Sequence, residues 1–172
     1  MNARATPKLA MRPMLPTDAP FLAEIFCASI EELTAEDYSA TQQGAWASAA
    51  DDEEEFAAKL GGELTLVATF GGAAVAFAAL ADNKRIDMLY VHPTATGQGA
   101  ATMLCDALEK LAAARGASEL TVDASDTARG FFEKRGYTAK SRNTVSLAGE
   151  WLANTTMIKP FAAKEDVKES AS

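Results

Sequence analysis

The sequence predicts an α+β (α/β) fold: a mixed, mostly antiparallel central sheet with helices on both faces. Three observations predict it. Apolar strand-like runs follow one another between residues 63 and 91 with only short turn signals between them, the pattern of an antiparallel meander. The last of these runs passes through a glycine-bearing turn into a segment of helical periodicity. A further strand follows that helix, so the two strands flanking it are expected to be parallel, joined by a right-handed crossover.

In chain order, residues 1–8 are expected to be disordered, 9–160 to form one domain, and 161–172 to be a disordered tail. Leu9 to Met14 reads as a first strand. Thr17 or Asp18 caps a helix with Pro20 near its first turn, and Leu22, Ile25, Phe26, Ser29 and Leu33 repeat at helical spacing. Ala35 to Ala50 is less regular and carries Tyr38, Gln42, Gln43 and Trp46. The acids from Asp51 to Glu55 open a helix that Gly61-Gly62 stops, and a first helical turn is reason enough for them. Glu63–Phe70 and Ala73–Leu80 are strands about a Gly71-Gly72 turn, and Arg85–Val91 follows the Asp82-Asn83-Lys84 turn. Gln98 to Ala114 is a helix with Leu104, Leu108 and Leu111 inward, ended by Gly116. Glu119 to Ala124 is a strand. Ser125 or Asp126 then caps a helix with Ala128, Phe131 and Phe132 on one face, stopped at Gly136. Tyr137–Ala139, Val145–Leu147 and Leu152–Lys159 are short final strands.

Composition narrows the function. The longest apolar run, Ala73 to Ala81, is too short to span a bilayer, so no membrane partner is expected. The start lacks the apolar segment of a signal peptide. Cys27 and Cys105 read as buried thiols of a reducing compartment, which gives a cytoplasmic location. A formal net charge of −8 argues against nucleic acid, whose binding rests on neutralising phosphates, and suits a cationic small molecule or peptide amine. One histidine, His92, and two isolated cysteines form no metal-ligand pattern. A monomer and a homodimer formed through the late strands are both compatible with the pattern.

The turn from Val91 to Ala101 carries the chemistry. Glycine lets backbone approach a ligand closely, and the first N–H groups of a helix have no partner of their own. With the positive end of the helix dipole they form a phosphate site. No Gly-Lys-Ser/Thr follows the glycines, so the turn is not a P-loop, and Gly97-Gln-Gly99-Ala-Ala fits a dinucleotide fingerprint poorly. A nucleotide-binding α/β protein remains one alternative.

Val91, Pro93, Gly99 and Ala101 resemble the acyl-CoA motif of the GNAT superfamily of N-acetyltransferases, Val-x-Pro-x-x-Gln/Arg-x-x-Gly-x-Gly/Ala. Thr96 departs from it where the family usually has Gln or Arg. A second block, from Ser125 to Tyr137, is similar to the family's Asn-x-x-Ala-x-x-Phe-Tyr-x-x-x-Gly-Phe: Ala128, Phe131, Gly136 and the aromatic Tyr137 match, Ser125 replaces Asn and Phe132 replaces Tyr. The resemblance covers roughly residues 9–160. It is nearest to bacterial members with a Phe-Phe-Glu form of this block and an Asn-x-x-Met-x-Lys ending, here Asn154, Met157 and Lys159.

The resemblance implies a GNAT acyl-CoA N-acyltransferase fold whose strands ending at Val91 and Asp123 splay apart around acetyl-CoA. Leu89, Tyr90 and Val91 would border the pantetheine arm. Thr96, Gly97, Gln98, Gly99, Ala100 and Ala101 would hold the pyrophosphate, mainly through backbone N–H groups. Ser125, Arg129 and Phe132 would lie near the far arm and thioester; Arg129, Lys134, Arg135 and Lys140 could relieve the cofactor's charge or simply form a solvated helix face. Glu31, Glu32, Tyr38 and Trp46 would line the acceptor side, with Glu150 and Trp151 near the last hairpin.

The implied reaction is direct attack of an amine on the thioester. The amine must lose a proton, and the leaving thiolate gains from one. Many family members draw that acid from the Tyr that is Phe132 here. Tyr90 and Tyr137 are candidate replacements, with core packing as the alternative for Tyr90 and a structural aromatic role at the strand start as the alternative for Tyr137. Asp87 lies mid-strand among apolar residues, where desolvation would raise its pKa, so it is a candidate base; a salt bridge to Arg85 is its structural alternative. Strict alternation places Asp87, Leu89 and Val91 on one face and Ile86, Met88 and Tyr90 on the other. The absent hydroxyl at Phe132 leaves a second alternative open: a non-catalytic acyl-CoA-binding sensor of the same fold.

Overall fold

The structure, a computed structural model, describes residues 7–162. Most of the expected disorder at 1–8 and 161–172 therefore falls outside the described residues. Phe161 falls inside them and is held: its N–H donates to the Ser118 carbonyl (2.8 Å) and it packs on the core.

Seven strands form one sheet: β1 (Leu9–Pro13), β2 (Leu64–Phe70), β3 (Ala73–Ala81), β4 (Arg85–Val91), β5 (Glu119–Ser125), β6 (Thr138–Leu147) and β7 (Glu150–Pro160). Their order is β1-β2-β3-β4-β5-β7-β6. The β4–β5 pair is parallel and the others are antiparallel. Helices α1 (Ala19–Leu33), α2 (Ala40–Ala47) and α3 (Glu53–Gly61) pack on one face; α4 (Ala100–Ala114) and α5 (Arg129–Lys134) pack on the other.

Two-sided burial explains the unbroken apolar run of β3. Phe77 and Ala79 meet α1 and α3, while Ala76, Ala78 and Leu80 meet α4. The turn before β3 places both Gly71 and Gly72 at positive φ, as a tight hairpin requires.

Local chemistry adjusts several expected boundaries. The irregular stretch before Ala50 contains α2, started by a reciprocal cap: Ser39 Oγ accepts the Gln42 N–H (3.2 Å) and Gln42 Oε1 accepts the Ser39 N–H (2.9 Å). Asp18 precedes α1 but does not cap it. Its carboxylate turns back to the Leu15 N–H (2.7 Å) and to the Arg12 guanidinium (2.6 and 2.8 Å). Helix α4 starts at Ala100, two residues later than expected, because Gly97 and Gly99 take φ of 78° and 90° and belong to the turn. The final short strands are one long hairpin, β6–β7.

Strand β4 is irregular on both of its edges. Against β3, Met88 pairs with Ala79 and Ile86 with Leu80, so Asp87 is an extra, bulged residue. Against β5, pairing is confined to Arg85–Thr121 and Ile86–Val122; beyond these the strands part.

Candidate active site

The parting of β4 and β5 opens a cavity of about 650 Å³ that runs to the start of α4. Leu89 and Val91 border it from β4, Val122, Ala124 and Ser125 from β5, and Phe132 from α5. Thr96, Gly97, Gly99, Ala100 and Ala101 form the turn end. The first backbone bond of α4 runs from the Met103 N–H to the Gly99 carbonyl (3.0 Å), so the N–H groups of Ala100, Ala101 and Thr102 are left without helical partners. The Thr96 hydroxyl bonds the Pro93 carbonyl (3.1 Å), which ties the side chain to its own turn.

The opposite wall is aromatic. Tyr38, Trp46 and Tyr90 line the cavity, with Phe26 packed edge-on to Tyr90 behind them (ring centroids 4.7 Å apart). The Tyr38 hydroxyl donates to the Ala153 carbonyl (2.6 Å) and accepts the Asp126 N–H (3.0 Å), so it is fixed as wall. The Tyr90 hydroxyl accepts from the Trp46 indole N–H (3.1 Å) and keeps its own proton to offer. Burial raises the Tyr90 pKa above the usual tyrosine value, and the Trp46 bond opposes that only in part.

Asp87 lines the cavity, but the expected raised pKa is corrected. Its carboxylate meets Lys59 Nζ at 2.8 Å and Arg85 at 3.1 Å. Burial acts to raise the pKa, yet these cations and the bonds around them outweigh it and hold the group below the usual aspartate value. The raised carboxyl is the neighbouring Glu63, lifted by burial and by the Asp87 charge. The bulge also breaks the expected alternation: Ile86 joins Leu89 and Val91 on the α4 side, while Asp87 reaches Lys59 of α3.

Tyr137, Arg129, Gln98, Glu31, Glu32, Glu150 and Trp151 stand outside the cavity lining. Tyr137 is buried against Phe132 and donates to Glu109 Oε2 (3.0 Å) on the α4 face. Arg129 pairs with Glu133 (3.6 Å). Gln98 is exposed between the two left-handed glycines, and Glu31 is exposed on the last turn of α1. The basic cluster is not aimed at the cavity either: Arg135 is bound to Asp106 and Glu109, and no Lys or Arg is among the lining residues.

Asp123 was legible in the sequence only as a strand end. It lines the cavity, exposed, and its Oδ1 accepts the Thr156 hydroxyl (2.6 Å). The sequence signal was its alternation with the apolar Val122 and Ala124, both of which point into the α4-side core.

Comparisons with known proteins agree with this architecture. A family profile described as "Acetyltransferase (GNAT) domain" matches residues 34–159. The chain is 34% identical over 149 residues to YafP, an uncharacterized N-acetyltransferase of Escherichia coli K12, spanning 87% of this chain and 94% of that protein. A crystal structure of a GCN5-related N-acetyltransferase from Rhodopseudomonas palustris is 63% identical, with a TM-score of 0.88 over 94% of this chain and 99% of that one. The PaiA N-acetyltransferase of Thermoplasma acidophilum, solved in complex with coenzyme A, shares the fold at 18% identity, with a TM-score of 0.74 over 90% of this chain and 99% of that one. A profile over most of the chain and a relative matched along nearly its whole length lead to one conclusion: this chain belongs to the GNAT acetyltransferase family.

Proposed function

We propose that this protein transfers the acetyl group of acetyl-CoA to a primary amine of a small molecule or peptide, by direct attack in a ternary complex, in the cytoplasm. The observation that carries the reading is the wedge between β4 and β5, which leads without interruption to the glycine turn of α4. Backbone of β4 beyond Ile86 faces no neighbouring strand on that side, which suits an amide-bearing arm. The α4 N–H groups suit a pyrophosphate, with little side-chain help because Thr96 is occupied. The donor brings an activated thioester; the chain's part is placement and protons.

Placement supplies much of the rate when two reactants are held side by side. Tyr90 is the proposed proton donor to the departing sulfur, since the residue lines the cavity and its hydroxyl, accepting the Trp46 N–H, keeps its own proton to give. Asp87, ionised and bound to two cations, serves as a structural anchor of β4 rather than as the base. Leu89, Val91, Gly97, Gly99, Ala100, Ala101, Ser125 and Phe132 are proposed to contact the donor, and Tyr38 and Trp46 to wall the acceptor.

One observation favours a second reading. Phe132 lines the cavity without a hydroxyl, and by the motif resemblance it stands where family members usually carry their acid, which a non-catalytic acyl-CoA sensor would tolerate. Thermal shift with CoA and thiol release over a panel of amines separate the two. Stabilisation by CoA together with amine-dependent thiol release is expected; stabilisation without turnover on any amine would establish the sensor, and stabilisation by ATP or NAD but not CoA would sink both.

A further inference from the structure

The cavity has an unbalanced charge. Its lining contains no Lys, Arg or His and two carboxylates, Asp87 and Asp123. Each follows directly on the last parallel pair, Ile86–Val122, so both flank the vertex of the wedge. Their surroundings differ. Asp87 is neutralised by Lys59 and Arg85. Asp123 is met by a hydroxyl alone: Thr156 Oγ1 donates to its Oδ1 at 2.6 Å and in turn accepts from Asn143 Nδ2 at 2.7 Å. Among the described residues no cation pairs with Asp123, and no protein donor engages its Oδ2.

Direction matters as much as charge. Val122 and Ala124 point into the core under α4, so Asp123 points to the other face, the side of Tyr90 and of the α2 residue Trp46. A carboxylate steadied through one oxygen, in a cavity whose opposite wall is Tyr38, Trp46 and Tyr90, is a receptor for a cationic nitrogen. Resting on the proposed acetyl transfer, we infer that Asp123 receives the charged nitrogen of the acceptor, which gives up a proton to solvent before it attacks the thioester, and that the site therefore selects amines that carry a positive charge in solution over uncharged ones. The same electrostatics keeps anionic acceptors out of the vertex.

The test pairs two variants with two kinds of acceptor. Asp123→Asn keeps the shape and the Thr156 bond and removes the charge; Thr156→Val loosens the carboxylate and leaves the charge. Initial rates are measured with alkylamines, diamines and amino acid amides, which are cations at neutral pH, and with anilines, which are not. The KM of the best cationic acceptor should rise about tenfold or more in Asp123→Asn. Its acetyl-CoA KM and its stabilisation by CoA should stay within about twofold of wild type, as expected of a folded protein that has lost one acceptor contact. The penalty on aniline turnover should be at least about fivefold smaller than that on the cationic acceptor, and Thr156→Val should show a smaller rise of the same kind. An unchanged KM for the cationic acceptor, or an equal penalty on anilines, would overturn the inference. Failure of the underlying reading looks different: the wild-type protein would bind CoA and acetylate no amine, and the inference would fall with it.

Discussion

The indole N–H of Trp46 donates to the hydroxyl oxygen of Tyr90 across 3.1 Å, tying α2 to β4 at the wall of the cavity. Burial makes this phenol hard to ionise, and the indole bond makes it slightly easier. Tyr90→Phe should lower kcat by about a hundredfold or more while leaving the acetyl-CoA KM within about twofold. The acid works only while protonated, and its pKa lies above the usual value, so kcat of the wild-type protein should show no loss from this group as pH rises through the ordinary tyrosine range near about 10. Trp46→Phe removes the donor and so raises the Tyr90 pKa further; kcat should drop several-fold with no earlier alkaline loss. Steady-state rates from neutral to alkaline pH check both.

Gly99 and Thr96 share the turn and should respond differently to substitution. Gly99 is the residue before α4 at φ 90°, where a β-branched side chain is strained. Gly99→Val should weaken CoA binding at least about tenfold by displacing the N–H groups next in the chain. Thr96→Ala removes a hydroxyl already spent on Pro93 and should change the Kd less than about threefold. Calorimetric titration with CoA reads both; comparable losses would mean that Thr96 leaves Pro93 to bind the ligand.

Far from the cavity, Asp18 anchors β1 to the start of α1. Its carboxylate is held below the usual aspartate value chiefly by the Arg12 hydrogen bonds, with help from the Leu15 N–H and against some burial. A depressed folded-state pKa gives stability that is present above the unfolded pKa and lost as pH falls through the folded one. Asp18→Asn should cost about 1–3 kcal/mol at neutral pH. The difference from wild type should shrink as the pH drops below about 4. Urea melts at neutral and acidic pH measure it.

Lys59 is the cation that lets Asp87 and Glu63 share one corner, and Lys59→Met should expose their repulsion. Lys59 is about half exposed, so solvent screening limits the cost to about 1 kcal/mol. The sign with pH is set by Glu63, whose pKa is already raised by burial and by Asp87. The variant's deficit should be largest above that pKa and ease on acidification, as Glu63 takes up a proton. Melts of both proteins across mildly acidic pH would contradict this if the gap widened instead.

Much of the fold was legible because its signals are local. The meander announces itself through glycine and Asp-Asn turns, and the wedge through a glycine turn that opens an apolar-striped helix. What escaped depends on pairing between distant segments. A bulge is a matter of register against a partner strand, so sequence alternation assigned Asp87 the wrong face and could not see Lys59 arriving from α3. Tyr137 is adjacent in sequence to the second motif but is carried by the chain to the α4 side, where Glu109 takes its hydroxyl. Asp123 carries no signal of its own in the sequence, because a polar residue in a half-exposed strand is ordinary until the neighbouring strand turns away from it.

That turning away also has a mechanical side. The seven strands amount to two smaller sheets, four on one side and three on the other, riveted at Arg85–Thr121 and Ile86–Val122. Twist between the halves is resisted by that one seam and by the helices laid across it. Amide exchange should respect this division. Protons at the rivet should exchange slowly, those of β4 that look into the gap should exchange fast, and filling the gap should slow the second group while leaving the first nearly unchanged.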